Sequence, residues 1–192
     1  MMKSEAEIIG DYRQGLCSCL EEIAEKDIIE LVDIIMKAYA KGRKIAFMGN
    51  GGSATTASHF ARDISIGTAA KDKPRLRAIS LADNVAMITS LANDIDYNSI
   101  FREQLVGQLD EGDVVVGISA SGNSPNVLEA VRYARSAGAV TVGFIGFGGG
   151  KLKELVDKSI VLSSRDYGQV EDTHLVLDHI FTCLVRERIA RG

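Results

Sequence analysis

From Glu5 to Ala40 apolar residues recur at three- and four-residue spacing, through Leu20, Ile23, Ile28, Leu31, Val32, Ile35 and Met36, with no proline among them. That period predicts two helices whose apolar faces need a partner. After Gly42 the pattern changes. Lys44-Ile45-Ala46-Phe47-Met48 is a short apolar run that stops at Gly49-Asn50-Gly51-Gly52-Ser53, and it reads as a strand ended by a turn. Runs at 76–80, 113–118, 140–145 and 159–162 look alike. Segments of helical period lie between them: Thr55 to Ile66, Val85 to Leu91, Asn126 to Ala137, and a long last helix from about Gln169 to Ile189. Strands alternating with helices predict right-handed crossovers. The expected fold is therefore α/β, a three-layer αβα sandwich around a mostly parallel five-stranded sheet, preceded by a helical segment over residues 1–42.

In such open sheets ligands bind beyond the carboxyl ends of the strands, where the polar turns gather. The rule singles out Gly49 to Ser53 and Ser119 to Ser124, and more weakly Gly146 to Gly150. In the segment from Ile118 to Asn126, Ser119, Ser121 and Ser124 offer hydroxyl donors and Gly122 permits close backbone approach. Free N–H groups at the following helix start add partial positive charge, which suits an anion such as phosphate. Pro125 fits the first helical turn. The competing reading makes Ser124 a helix cap and the other serines turn residues. Gly49 to Ser53 lacks the Gly-Lys-Ser/Thr of a Walker loop and the spacing of a dinucleotide fingerprint, so no nucleotide cofactor is implied. A glycine-rich turn with Ser53 as a helix cap would look the same.

Composition narrows the partners. The chain has 192 residues, 46% hydrophobic and 25% charged, enough for one substantial core and one domain over 1–192. A net charge of -4 gives no general basic field, so nucleic acid is not the expected ligand. Cys17, Cys19 and Cys183 form no Cys-x-x-Cys pair and read as reduced thiols. No run approaches the ~20 apolar residues of a membrane span, and Glu5, Glu7 and Asp11 interrupt the N-terminus. A soluble, cytoplasmic protein with no membrane partner is expected.

The two loops in this order resemble the sugar isomerase (SIS) family. With His59-Phe60-Ala61, Asn93-Asp94, the segment Gly117 to Ser124, and Glu171, His174 and His179 near the C-terminus, the chain is similar to the phosphoheptose isomerase branch over nearly its whole length. That resemblance implies interconversion of sedoheptulose 7-phosphate and a seven-carbon aldose phosphate. It also implies a homotetramer with active sites between subunits, for which residues 1–42 would serve, and often a zinc ion. Substrate contacts would come from Asn50, Gly51, Gly52, Ser53, Asn93, Asp94, Ser119, Ala120, Ser121, Ser124 and Glu171.

Moving a proton between adjacent carbons needs a carboxylate or an imidazole within hydrogen-bond reach. His59 and Asp63, at i and i+4, share a helix face, which suits a metal site, a base held by its neighbour, or a surface pair. His174 and His179 point roughly 140° apart on a straight helix and cannot both serve one site. His174 shares a face with Glu171 and Asp178 and fits a surface histidine; His179 lies among Leu177, Ile180 and Phe181, where a buried neutral imidazole is the alternative. Spacing leaves these open. The resemblance makes Asp63 the base, His179 the partner acid/base, and His59, Asp63, Glu171 and His179 the metal ligands.

Three departures stand out. Asp63 replaces the family's usual Glu, Glu171 replaces its Gln, and Ser65 to Thr68 stand where the family commonly places an arginine. Glu171 and His179 are also about 12 Å apart along an ideal helix, a long reach for one ion. A phosphosugar isomerase is the leading function. A non-catalytic phosphosugar-binding module acting through protein partners, such as a replication initiator, is second. A sugar-phosphate-sensing regulator is third, with no DNA-reading element recognisable. Retention of His179 and a carboxylate at position 63 favours the enzyme, since a pure binder needs no proton-transfer pair.

Overall fold

The computed structural model describes residues 2–192; residue 1 of the expected 1–42 segment lies outside the described residues. In chain order the elements are α1 (Glu5–Glu21), α2 (Glu25–Ala40), β1 (Lys44–Met48), α3 (Gly52–Arg62), a π-helical turn (Asp63–Gly67), β2 (Arg77–Ser80) and α4 (Val85–Asp94). There follow a 3-10 turn (Tyr97–Ser99), α5 (Ile100–Leu105), β3 (Val114–Ser119), α6 (Pro125–Ser136), β4 (Val140–Ile145), α7 (Gly150–Leu155), β5 (Lys158–Val161) and α8 (Tyr167–Arg191). The strands lie in the order β2-β1-β3-β4-β5 and every pairing is parallel. The short helices α5 and α7 have too few residues to show a 3.6-residue period, and the sequence reading did not place them.

Period-two alternation splits the strand side chains between two faces. Ile45, Phe47, Val114, Val116, Ile118, Val142 and Phe144 pack with buried residues of α2, α3 and α8. Ala46, Met48, Val115 and Ile145 pack with α5, α6 and α7. Helices on both faces of a parallel sheet give the expected three layers. Leu31, Val32, Ile35 and Ala38 of α2 are buried in the chain's own core. The apolar face of α2 thus finds its partner within the chain. In α1 only Cys19 is buried, while Ile8 and Ile9 are more than half exposed. α1 starts with a capping box, in which Ser4 Oγ accepts from the Glu7 amide at 3.3 Å and Glu7 Oε2 accepts from the Ser4 amide at 2.8 Å. It reaches the start of α8 through Tyr12, whose hydroxyl donates to Asp172 Oδ2 at 2.6 Å.

An aromatic cluster fills the centre of the first face. Phe60 stacks on Phe47 at 4.8 Å and on Phe144 at 5.5 Å between ring centroids, and Phe181 meets both Phe60 and Phe144 edge-on. His174 joins this cluster, 1% exposed and 6.1 Å from Phe144, with neither ring nitrogen hydrogen-bonded among the described residues. It is a core residue, not the surface histidine its acidic neighbours on α8 suggested. Packing of α8 decides the matter, since the face that carries Val170, His174 and Leu177 is buried.

Burial pushes the His174 pKa down to about 4. Below the ordinary imidazole pKa of ~6.5 the unfolded chain takes up a proton that the folded chain refuses until about pH 4. Stability therefore falls as pH drops through that window. Urea unfolding of wild type should lose on the order of 2 kcal/mol between pH 7 and pH 5 from this group alone. His174→Leu should remove that share of the pH dependence and be at least as stable at pH 7, because two unsatisfied nitrogens leave the core. An unchanged slope in the variant would contradict this account.

Candidate active site

The strand order reverses between β1 and β3, because β1 connects onward to β2 on one side and β3 to β4 on the other. A crevice opens at such a switch point. The loops Gly49 to Ser53 and Ser119 to Ser124 leave these two strands, and a cavity of about 150 Å³ lies between them. It is lined by Asn50, Ser53, Ile118, Ser119, Ala120, Ser121, Ser124, Tyr167 and Glu171.

The serines do not serve as caps. Ser124 precedes α6, but its side chain makes no capping hydrogen bond; its hydroxyl lies 3.1 Å from Ser119 Oγ. Ser119 Oγ in turn accepts from the Gly122 amide at 3.1 Å, and Ser121 Oγ accepts from the Asn123 amide at 3.2 Å. The cap of α3 is Gly51, with φ 56°, rather than Ser53, which lies inside the helix and is 4% exposed. Hydroxyls and first-turn N–H groups of two helices thus gather around one small space, an environment for an anion. The loop at 146–150 does not line this space. It braces the serine loop from behind: the Leu152 amide donates to Gly122 O at 2.9 Å, and a Cβ on Gly122 (φ 64°) would stand 2.1 Å from Gly149 O.

Asn50 and Asn126 join the two loops by a reciprocal pair of side-chain amide bonds, each 2.9 Å. The Tyr97 hydroxyl adds a bond to Asn50 Oδ1 at 3.0 Å. Most of the hydrogen-bonding capacity of Asn50 is therefore spent on fixing the spacing of the loops. Glu171 reaches the cavity from α8 and lies against Gly52, where a Cβ would meet its carboxylate at 2.1 Å. A carboxylate beside the start of α3 complements that helix's dipole.

Further along the same two helices lies a cluster of ionisable side chains. His59 Nε2 stands 3.5 Å from Asp63 Oδ2, and His179 Nε2 stands 4.0 Å from the same oxygen. The two imidazoles meet edge-on at 5.2 Å. Both are partly open to solvent, with side chains 40% and 55% exposed, whereas Asp63 is buried. His179 is thus not the buried imidazole its apolar neighbours suggested. The Arg62 guanidinium pairs with Asp63 Oδ1 at 2.5 Å, so a cation from the preceding residue reaches the carboxylate although none stands at Ser65 to Thr68. Asp178 Oδ2 lies 4.0 Å from His59 Nε2. Burial and the neighbouring Asp63 charge raise the Asp178 pKa to about 7.

Donor atoms of His59, Asp63, Asp178 and His179 all lie within 4.8 Å of one another. Two imidazoles, two carboxylates and an orphaned buried oxygen on Asp178 fit a divalent ion. Glu171 is not in this group. Asp178 was missed by the sequence reading, which weighed it only as a neighbour of His174; the available signal was a carboxylate inside the apolar run Leu175 to Phe181. Tyr97, Asn126 and Tyr167 were missed as well, being brought in by distant segments. Asn93 and Asp94 stand exposed at the end of α4, where the Asn93 side chain donates to Asp94 Oδ1 at 2.9 Å, and neither lines the cavity.

Comparison with known proteins gives the family of this fold. The SIS domain family profile matches residues 11–146. A phosphoheptose isomerase from Geobacter sulfurreducens is 39% identical over 177 residues, covering 92% of this chain and 93% of that protein. The structure of a phosphoheptose isomerase from Neisseria gonorrhoeae superposes with a TM-score of 0.86 at 26% identity, over 95% of this chain and 96% of that one. One from Francisella tularensis has the same fold, with a TM-score of 0.87 at 24% identity over 97% and 100%. The chain belongs to the SIS domain family, in its phosphoheptose isomerase branch.

Proposed function

We propose that this chain is a phosphosugar aldose-ketose isomerase that interconverts sedoheptulose 7-phosphate and a heptose 7-phosphate. One observation carries the reading beyond the names of its relatives. The pair α3 and α8 holds the anion cavity at its amino end and the His59, Asp63 and His179 cluster on the order of 10 Å further along. An open-chain sugar with phosphate at its far end spans that kind of separation. The phosphate binds the hydroxyls of Ser119, Ser121 and Ser124 and the N–H groups of α6, with Ser53 on the opposite wall. Glu171 accepts from sugar hydroxyls, since a carboxylate beside a phosphate repels it but suits an O–H donor.

Isomerisation follows from what the cluster can do with protons. Asp63 Oδ2, buried and facing both imidazoles, takes the proton from the carbon next to the carbonyl and returns it to the adjacent carbon through an enediol. His179, exposed enough to meet substrate, gives and takes the oxygen-bound proton. His59 and Arg62 hold Asp63 in place. A zinc ion held by His59, Asp63, His179 and a further carboxylate would polarise the substrate oxygens.

Copies of this chain assemble as a homotetramer. The exposed Ile8 and Ile9 of α1, and α4, which has no buried residue, offer surfaces for contact, and a neighbouring α4 can bring Asn93 and Asp94 to the cavity. No helix among the described residues is long and apolar enough to cross a membrane. Three free cysteines suit a reducing, cytoplasmic location.

Purified protein should turn over sedoheptulose 7-phosphate and wash solvent deuterium into C2 of the aldose product. His179→Gln should cut that turnover by ~10²–10⁴. Its affinity for the sugar phosphate should stay within about tenfold of wild type, or about 1.4 kcal/mol. No turnover or exchange by wild type on any C5 to C7 ketose phosphate, with or without zinc, would leave a binding module instead. Ser119→Ala combined with Ser121→Ala should weaken binding by about tenfold or more without unfolding the chain, read by calorimetric titration. Unchanged affinity would put the phosphate elsewhere. Light scattering should give the mass of four chains, and a monomer at micromolar concentration would remove the shared site.

A further inference from the structure

The family resemblance gives Glu171 a place in the metal shell, yet the side chain that stands beside His59, Asp63 and His179 is that of Asp178. Asp178 is fully buried, at 0% exposure, and its Oδ2 has no hydrogen-bond partner among the described residues. Its other oxygen receives only a long bond from the Thr182 hydroxyl, at 3.4 Å. The guanidinium of Arg62 is engaged with Asp63. An ionised carboxylate so placed costs several kcal/mol unless a cation faces it. It sits within Leu175-Val176-Leu177 and Ile180-Phe181, where packing alone would favour an apolar side chain.

The donor geometry supplies the cation's place. Neighbouring donors in the cluster are 3.5 to 4.0 Å apart. Ligands ~2.0 Å from one tetrahedral ion stand about 3.3 Å apart, so small side-chain rotations close the shell. Glu171 lies at Gly52, about 10 Å of helix from Asp178, and is not among the donors gathered there. Thr182 is itself held close. A Cβ on Gly67 of the π-helical turn would stand 3.2 Å from Thr182 Cγ2, so the glycine lets the threonine approach.

We propose that Asp178, not Glu171, is the second carboxylate ligand of a divalent-metal site completed by His59, Asp63 and His179, with Thr182 as its positioning residue. Two carboxylates then neutralise the ion's charge in a half-buried site. The two imidazoles form the solvent-facing rim, and Glu171 stays free in the sugar cavity. This assignment rests on the reading that the cluster holds an ion, and it is tested without reference to turnover.

Chelator-stripped protein would be titrated with zinc against a chromophoric competitor, for wild type, Asp178→Asn, Glu171→Gln and Thr182→Val. Asp178→Asn should weaken zinc binding by more than tenfold and Thr182→Val by about tenfold, whereas Glu171→Gln should stay within about threefold. With cobalt as the probe, the visible absorption bands should change in Asp178→Asn and not in Glu171→Gln. The metal-free Asp178→Asn protein should melt no lower than metal-free wild type, because the substitution removes a buried charge. The proposal is overturned by a loss below tenfold in Asp178→Asn or an equal loss in Glu171→Gln. No uptake by wild type at roughly 100 µM free zinc would also overturn it. Unchanged affinity in Thr182→Val removes the positioning role. Sedoheptulose 7-phosphate turnover by a protein that takes up no zinc ends this proposal and leaves the isomerase reading standing; uptake in the expected pattern without turnover does the reverse.

Discussion

The same-direction packing of α3 against α8 is the constraint on which the rest of the site depends. At one end it presses Glu171 onto Gly52, and at the other it brings Asp178 and His179 to His59 and Asp63. Beside the second end Phe60 and Phe181 meet at 5.9 Å and tie the pair to the sheet through Phe144. Because the core is close-packed, a shift of either helix along its axis would disturb both ends together. The cavity and the His59, Asp63, Asp178 and His179 cluster therefore share one structural support.

The cavity between the two loops offers an anion a place in an acidic chain. With a net charge of -4 there is no general attraction to draw on. Hydroxyls and backbone N–H groups at helix starts supply the positive field locally instead. Nothing at the cavity lining carries a formal positive charge, and its one carboxylate, Glu171, lies against the start of α3. Recognition is thus left to the loop geometry. The amide pair between Asn50 and Asn126 and the brace from the loop at 146–150 maintain that geometry.

Two buried ionisable groups on α8 answer the cost of burial in opposite ways. His174, 1% exposed among aromatic rings, stays neutral, and its pKa falls. Asp178, one turn on, is pushed the other way by the same loss of water and by the charge of Asp63. The π-helical turn at Asp63–Gly67 lies where α3 hands over to this region, and such turns often mark functional sites because they break helical register.

The sequence by itself determined the layered α/β fold and the two loops at the carboxyl ends of its strands. Short apolar runs from Lys44 to Met48 and from Asp113 to Ile118, with glycines and serines directly after them, are local signals that need no distant segment. It also carried His59 and Asp63 as a pair, since i and i+4 share a helix face whatever the fold. Which histidine of α8 faces the core was not decided locally. Residues on each side of the helix gave both His174 and His179 plausible surroundings and left the choice open. Only the tertiary structure decided that, together with the partnership of Asp178 with His59, of Asn50 with Asn126, and of Glu171 with Gly52. Each of these joins segments far apart in the chain, and the contact exists only once α8 has packed on α3 or β1 has paired with β3.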